Sequence, residues 1–462
     1  MSSSSSSSSP TKVRRPARAD WVVLGVELAL IATAVVVGVV LNRRGVGLYA
    51  ETAPIYAFWR PHVGWGTPVA VAVAAVVIIW GVRWARTARW GPLLGAGYLA
   101  AVAWTLALAL VDGWSAGVAR RLTNQAEYLH EVHRITDIPA MLAGFSGRIV
   151  DFQPESWSTH TAGHPPGALL VFVWLDRIGL GGGAAAGMAC ILIGATMVVS
   201  IPAALRWLGA ADAARAVLPF LVLLPGAVWI GASGDGVFTG VVAAGLALLA
   251  ARHPVAPLAG GILLGFALYL SYGFVLIGLL AVAVLVLRPG RFLPALLTAA
   301  AGVAAVVAAF TAAGFWWWDG YQLVVVRYYQ GWAAERPYAY WVWANLAAML
   351  LSAGLVTGPA LRRTIVAARH AWRGPAGDGT VARGWRYAAT RPTILLPLTA
   401  ALAIVAADLS GLSKAEVERI WLPFVVWLLI ATAHLPARTH RWWLAGQAAT
   451  ALAVNHLLLT FS

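Results

Sequence analysis

The chain has 462 residues, 60% of them hydrophobic and 11% charged, with a mean hydropathy of +0.76. A soluble globular protein of this length needs far more polar surface, so that class is excluded, and repeated apolar runs of roughly 17–25 residues point to an all-α polytopic membrane protein. Lys and Arg number 33 against 18 Asp and Glu, a net charge of +15, but the arginines gather in short loops between apolar runs, which marks membrane topology and anionic-lipid contact rather than nucleic-acid binding.

Residues 1–20, "MSSSSSSSSPTKVRRPARAD", read as a disordered basic tail on the cytoplasmic side. The apolar run that follows is long enough to span and has no small-residue cleavage site, so it is an uncleaved first span. Spans are expected near 21–41, 67–84, 92–111, 166–180, 184–204, 213–231, 236–251, 258–287, 292–314, 341–358, 392–408, 420–434 and 442–460. That makes about thirteen helices in one domain over 21–462, at about 20 residues per crossing. The long 258–287 stretch calls for a tilt, a kink or a half-helix.

With the N-terminus inside, the inner loops hold Arg83, Arg86, Arg89, Arg288, Arg291, the group from Arg362 to Arg391, Arg438 and Arg441. The outer loops 42–66, 112–165, 315–340 and 409–419 hold most of the acidic and aromatic residues found outside spans. This count puts Asp235 near the inner side. Cys190 stands alone in an apolar run, which leaves no disulfide framework and no cysteine metal site.

The extracytoplasmic loop 112–165 is long enough to be functional. From Val118 to Phe145 its apolar residues recur at helical spacing, predicting one or two amphipathic juxtamembrane helices. Their polar faces would gather Glu127, His130, Glu131, His133, Arg134 and Asp137, while Asp112 sits where the preceding span ends. A sheltered carboxylate at a membrane border can serve as a general base; a solvated charged face is the plainer reading of each single residue. His130 and His133 lack the His-Glu-x-x-His spacing, so no metal ligands are assigned, and the sequence requires no cofactor, a divalent cation included.

The loop ends in His164-Pro165-Pro166-Gly167. Pro166 suits the first turn of a helix and Pro165 holds the residues before it extended. The helix N-terminus favours an anion such as a phosphate, and His160 and His164 are polar groups held at the border.

The aromatic stretch Gly314 to Asn345 reads as an interfacial belt, interspersed with Asp319, Arg327, Tyr328, Glu335, Arg336 and Tyr338, groups able to bind a sugar or a lipid headgroup. In "DLSGLSKAEVERIWLPF", Ser413 would cap a short helix with Glu416 at the capping-box position. Lys414 and Arg419 could hold a phosphate leaving group, or Glu416 and Glu418 could form salt bridges within the bundle.

"AEYL" (Ala126 to Leu129), "HPPG" (His164 to Gly167) and "LPGAVWIGASGDGVFTGVVAAGLALL", which carries Asp235, together resemble the GT-C superfamily of polyprenyl-phosphate-sugar glycosyltransferases, which includes protein O-mannosyltransferases and aminoarabinose transferases. The resemblance covers the layout of much of the chain and a few short motifs. Two spans precede the loop where one is usual, and the usual adjacent acidic pair is absent, which leaves the base open between Glu127 and Asp112. The resemblance implies a transferase in a bacterial plasma membrane that moves a sugar from a polyprenyl-phosphate donor to an envelope glycan or glycolipid, with inversion. Tyr128, His160, His164, Asp319, Arg327, Arg336, Tyr338, Lys414, Glu418 and Arg419 are the candidate substrate-binding residues. A transporter or flippase of a lipid-linked sugar is the alternative; it would need the bundle but no base.

Overall fold

A computed structural model describes residues 18–373 and 390–460, with side chains of the first segment described through 370. The expected tail lies largely outside the described residues, as do Arg383 and Arg386. Helices form nearly all of the regular structure. The described strands are Ala57–Trp59 and Leu458–Thr460, one antiparallel pair that sequence reading did not anticipate.

Among the described residues, six helices are long and apolar enough to cross a membrane: Arg18–Arg43, Gly66–Thr87, Trp90–Ala109, Gly183–Trp207, Phe292–Ala312 and Pro392–Leu409. The count rises to eight if the bent pairs Tyr338–Ala353 with Thr357–His370 (98°) and Leu422–His434 with Ala437–Leu457 (117°) are each one span. The expected count of about thirteen is therefore not met. Hydropathy alone also counted the shorter helices Gly234–Ala250, Ala256–Leu268 and Tyr272–Leu287. It cannot distinguish a lipid-crossing helix from one whose apolar side chains are buried in protein.

The outermost helices show what surrounds the bundle. Arg18–Arg43 and Phe292–Ala312 bury only 17% of their apolar windows, and Val22, Val26, Val36, Leu293 and Leu297 point outward. Water would not tolerate so much contiguous apolar surface; lipid does. Inside, small residues let backbones touch. A Cβ on Gly240 would lie 2.1 Å from the Ile193 carbonyl oxygen, and one on Gly261 would lie 2.0 Å from that of Ala299. Such close approach is how helices pack where apolar side chains gain nothing by leaving lipid.

At one end of the bundle Arg215 donates to the carbonyls of Ala85 and Ala88 (2.7 and 2.8 Å), Arg288 donates to Ala251 (3.1 Å), and Asp20 pairs with Arg362 and Arg363 (2.9 and 2.5 Å). The loop 112–165 occupies the opposite end. Helix Pro166–Arg177 does not leave that end. It has 12 residues, about 18 Å, too short for a hydrocarbon core of about 30 Å. Its last residue, Arg177, donates back to the Ile135 and Thr136 carbonyls (2.6 and 3.0 Å), and Gly183 abuts the Ala119 carbonyl.

The predicted 166–180 span is thus not a crossing, and the predicted 258–287 span is two helices that turn near Ser271. The first correction moves Asp235 to the loop end.

The loop also departs from its expected amphipathic helices. It folds as short turns, Ser115–Ala119, Arg121–Thr123, Leu129–Val132, Ile138–Gly144 and Thr159–Gly163. Glu127 and Glu131 face inward, while His130, His133, Arg134 and Asp137 stay exposed, Asp137 capping Ile138–Gly144 through Ala140 N–H (3.0 Å). In a Cys190→Ser background, Leu180→Cys and His133→Cys should react with a membrane-impermeant maleimide from the same side of sealed vesicles, and His253→Cys from the other. Labelling of Leu180→Cys together with His253→Cys would refute the arrangement.

Candidate functional site

A cluster of buried charges forms where the loop meets the segment 408–421. Arg419 is the centre. Its Nη1 donates to Asp235 Oδ2 (2.9 Å), its Nη2 to Glu416 Oε2 (2.6 Å), and Nη2 also lies 3.4 Å from His160 Nε2. His160 Nδ1 is 2.7 Å from Glu127 Oε1. A guanidinium carries only donors, so Nε2 accepts and the ring hydrogen sits on Nδ1, donated to Glu127. Glu127 is 1% exposed, and Arg336 reaches Glu416 Oε1 from the other side (3.4 Å).

Local backbone geometry places these groups. His164 is extended, Pro165 is the N-cap residue and Pro166 opens the helix, as the sequence implied. The His160 carbonyl accepts from His164 Nδ1 (2.8 Å), and the Tyr128 hydroxyl lies 3.0 Å from the same nitrogen. Burial lowers His164 to about 4 and raises the Tyr128 phenol, so both stay neutral and hold the turn that presents His160. The anion site expected at this helix start is filled by protein: Pro165 through Leu170 are buried, and Gly167 packs on the Tyr269 carbonyl.

On the opposite wall Ala415 and Glu416 both have left-handed backbone (φ 73° and 64°), so the short helix begins at Val417 and the expected Ser413–Glu416 capping box is absent. Asn345 clamps this turn, donating to the Ser413 carbonyl (2.7 Å) and Asp408 (2.8 Å) and accepting from Ala415 N–H (3.3 Å). Ala232, just before Ser233 and Asp235, is also left-handed (φ 66°). Each carboxylate that grips Arg419 thus follows a strained residue, as happens where function fixes a backbone.

Electrostatics follow from this packing. Burial alone would raise Glu416, but Arg419 and Arg336 hold it down at about 2. Burial opposes the charge on Arg419, yet Asp235 and Glu416 raise its pKa. Glu418 lacks a matching cation among the described residues: it accepts from Tyr56 N–H (3.1 Å), its other oxygen is buried without a hydrogen bond there, and burial raises it to about 7.

The remaining expected residues lie elsewhere. Asp112 pairs with His62 (2.9 Å) and Arg121 (3.5 Å); Arg121, in charge range of both Asp112 and Glu127, also donates to Thr460. Asp112 therefore fastens the strand pair, while His160 takes Glu127. Arg327 is taken by Asp151 (2.8 Å), Tyr338 is exposed and donates to the Leu409 carbonyl (3.3 Å), and Asp319 is exposed at the start of Trp317–Gln330. Lys414 is buried with its ammonium 5.4 Å from the Tyr329 ring; among the described residues it has no carboxylate partner, and burial lowers its pKa.

Arg419, for which the sequence allows either a phosphate ligand or a salt bridge within the bundle, pairs here with two carboxylates. Asp235 and Glu416 are the site members that sequence reading misplaced or left unassigned. The Asp235 motif is legible in the sequence, and only the span count places it at the other end. Searches against protein-family models, curated proteins and solved structures found no match for this chain.

Two outcomes follow. Arg419→Met leaves Asp235 buried without its cation and Glu416 with Arg336 alone, and should cost about 3–5 kcal/mol, seen as a lower Tm of the detergent-solubilised protein. Glu418 has a raised folded pKa, so its contribution to stability is full below about 4.5 and is lost as pH rises through about 7. Glu418→Gln should flatten that part of the Tm–pH profile; an unchanged profile would exclude Glu418 as the titrating group.

Proposed function

We propose that this protein is a membrane glycosyltransferase that moves a sugar from a polyprenyl-phosphate donor to a cell-envelope glycan or glycolipid, with Glu127 as general base. The buried Glu127–His160 pair, at the bundle end where a folded loop meets apolar helices, carries the reading. A carboxylate oriented by an imidazole, in a place that excludes bulk water, can take a proton from an acceptor hydroxyl while lipid delivers the donor laterally. The acceptor oxygen attacks the anomeric carbon as the bond to the phosphate oxygen breaks. The hydroxyl proton passes to Glu127, and the electron pair leaves with the lipid phosphate, through a transition state of oxocarbenium character. The outcome is inversion.

The leaving phosphate needs a cation that is not already neutralised. Arg419 does not meet that need; Lys414 does, since the ring beside it leaves its charge uncompensated. In this reading Arg419 positions His160 and the two carboxylates, and Asp112 keeps Arg121 in place. The arginine-rich end faces the cytoplasm and the loop end faces outward, in the plasma membrane of a bacterium.

Radiolabel transfer from a polyprenyl-phosphate sugar tests the reading. Glu127→Gln should lower transfer by about 100-fold or more, the range for loss of a general base, while Asp112→Asn keeps most of it. Full activity in Glu127→Gln would rule the mechanism out.

A further inference from the structure

A concavity opens beside the charged cluster. It has a volume of about 320 Å³ and is walled by Tyr49, Tyr56, Phe58 and Trp332, with Asn42 and Glu51 at its edge. Tyr49 and Trp332 stack with ring centroids 5.3 Å apart and 2° between planes, a flat double wall, while Tyr56 tilts at 51° to Trp332. Trp332 keeps 54% of its surface exposed beyond its stack on Tyr49, and Phe58 is 44% exposed.

Polar groups interrupt these rings. The Asn42 amide N–H₂ donates to the Ala50 and Glu51 carbonyls (2.9 and 3.2 Å), which fixes the amide and leaves its oxygen as an acceptor. The Tyr49 hydroxyl is tied to the Glu335 carboxylate, and the Glu51 side chain is exposed. The lining has a carboxylate and no Lys or Arg. Arg336, behind Tyr56 at 5.8 Å, is occupied by the carbonyls of Leu48, Tyr49 and Lys414 and by Glu416. An anion gains nothing in such a pocket. A neutral polyol with apolar C–H faces gains ring contact on one side and acceptors for its hydroxyls on the other.

We propose that this pocket is a binding subsite for a neutral saccharide unit of the acceptor glycan, apart from the Glu127–His160 site and joined to it through Arg336, Glu416 and Arg419. Its assignment to the acceptor rests on the transferase reading; saccharide binding itself does not. Arg336 holds the carbonyls of Leu48 and Tyr49 at the pocket rim and the carboxylate that grips Arg419, so the rim and the charged cluster share one rigid link.

Saturation-transfer NMR on the full-length protein in detergent decides it, with methyl α-mannopyranoside, methyl α-glucopyranoside and methyl α-arabinofuranoside as separate ligands and inorganic phosphate as competitor. At least one glycoside should take up saturation on its C–H protons without competition from phosphate. Trp332→Ala should weaken it about tenfold, and Trp332→Phe should restore most of the loss, since a ring face remains. Glu127→Gln should bind like the unaltered protein, so saccharide binding stands or falls independently of transfer activity. Absence of saturation with all three glycosides, loss by phosphate competition, or binding unchanged in Trp332→Ala would each overturn the proposal.

Discussion

The loop end of this protein depends on one buried positive charge. Taking a guanidinium and its partners out of water costs several kcal/mol per ion, which only close and complete pairing offsets. Arg419 meets that demand with Asp235 from one helix start, Glu416 from its own turn, and the ring of His160 from the loop. Three segments far apart in sequence are therefore fixed relative to one another. The orientation of His160 toward Glu127 follows from the same constraint, because Arg419 claims the far ring nitrogen as an acceptor.

The surroundings are arranged so that these charges can be buried at all. Left-handed Ala232, Ala415 and Glu416 turn the chain sharply at both carboxylate positions, and the Asn345 side chain supplies the hydrogen bonds that the second turn lacks. Small residues bring the neighbouring helices within backbone contact, so side chains from the loop reach the bundle interior. Burial then separates the acidic groups. Glu416 stays charged between two arginines, while Glu418, the residue just before Arg419 yet without a cation of its own among the described residues, is pushed toward neutrality.

At the opposite end, Asp20 with Arg362 and Arg363, and the Glu27 carboxylate accepting from Gly358 N–H (2.6 Å), bind the first helix to Thr357–Arg373. These contacts hold the bundle together away from the site. Between the two ends the bundle is overwhelmingly apolar.

The fold class, the lipid-facing first helix, the Pro-Pro entry and the candidacy of Glu127, His160 and Arg419 follow from composition and local pattern, because each rests on residues close together in the chain or on their sum. The number of crossings, the end at which Asp235 lies, and which of Glu127 and Asp112 meets His160 do not. A run of apolar residues is the same whether it faces lipid or protein, and Pro166–Arg177 is turned back by an arginine reaching loop carbonyls some forty residues earlier. Likewise Arg419 in sequence is simply a cation at a membrane border. Only the tertiary structure brings two carboxylates to it, and that pairing converts it from a phosphate-binding candidate into the residue that orders the site.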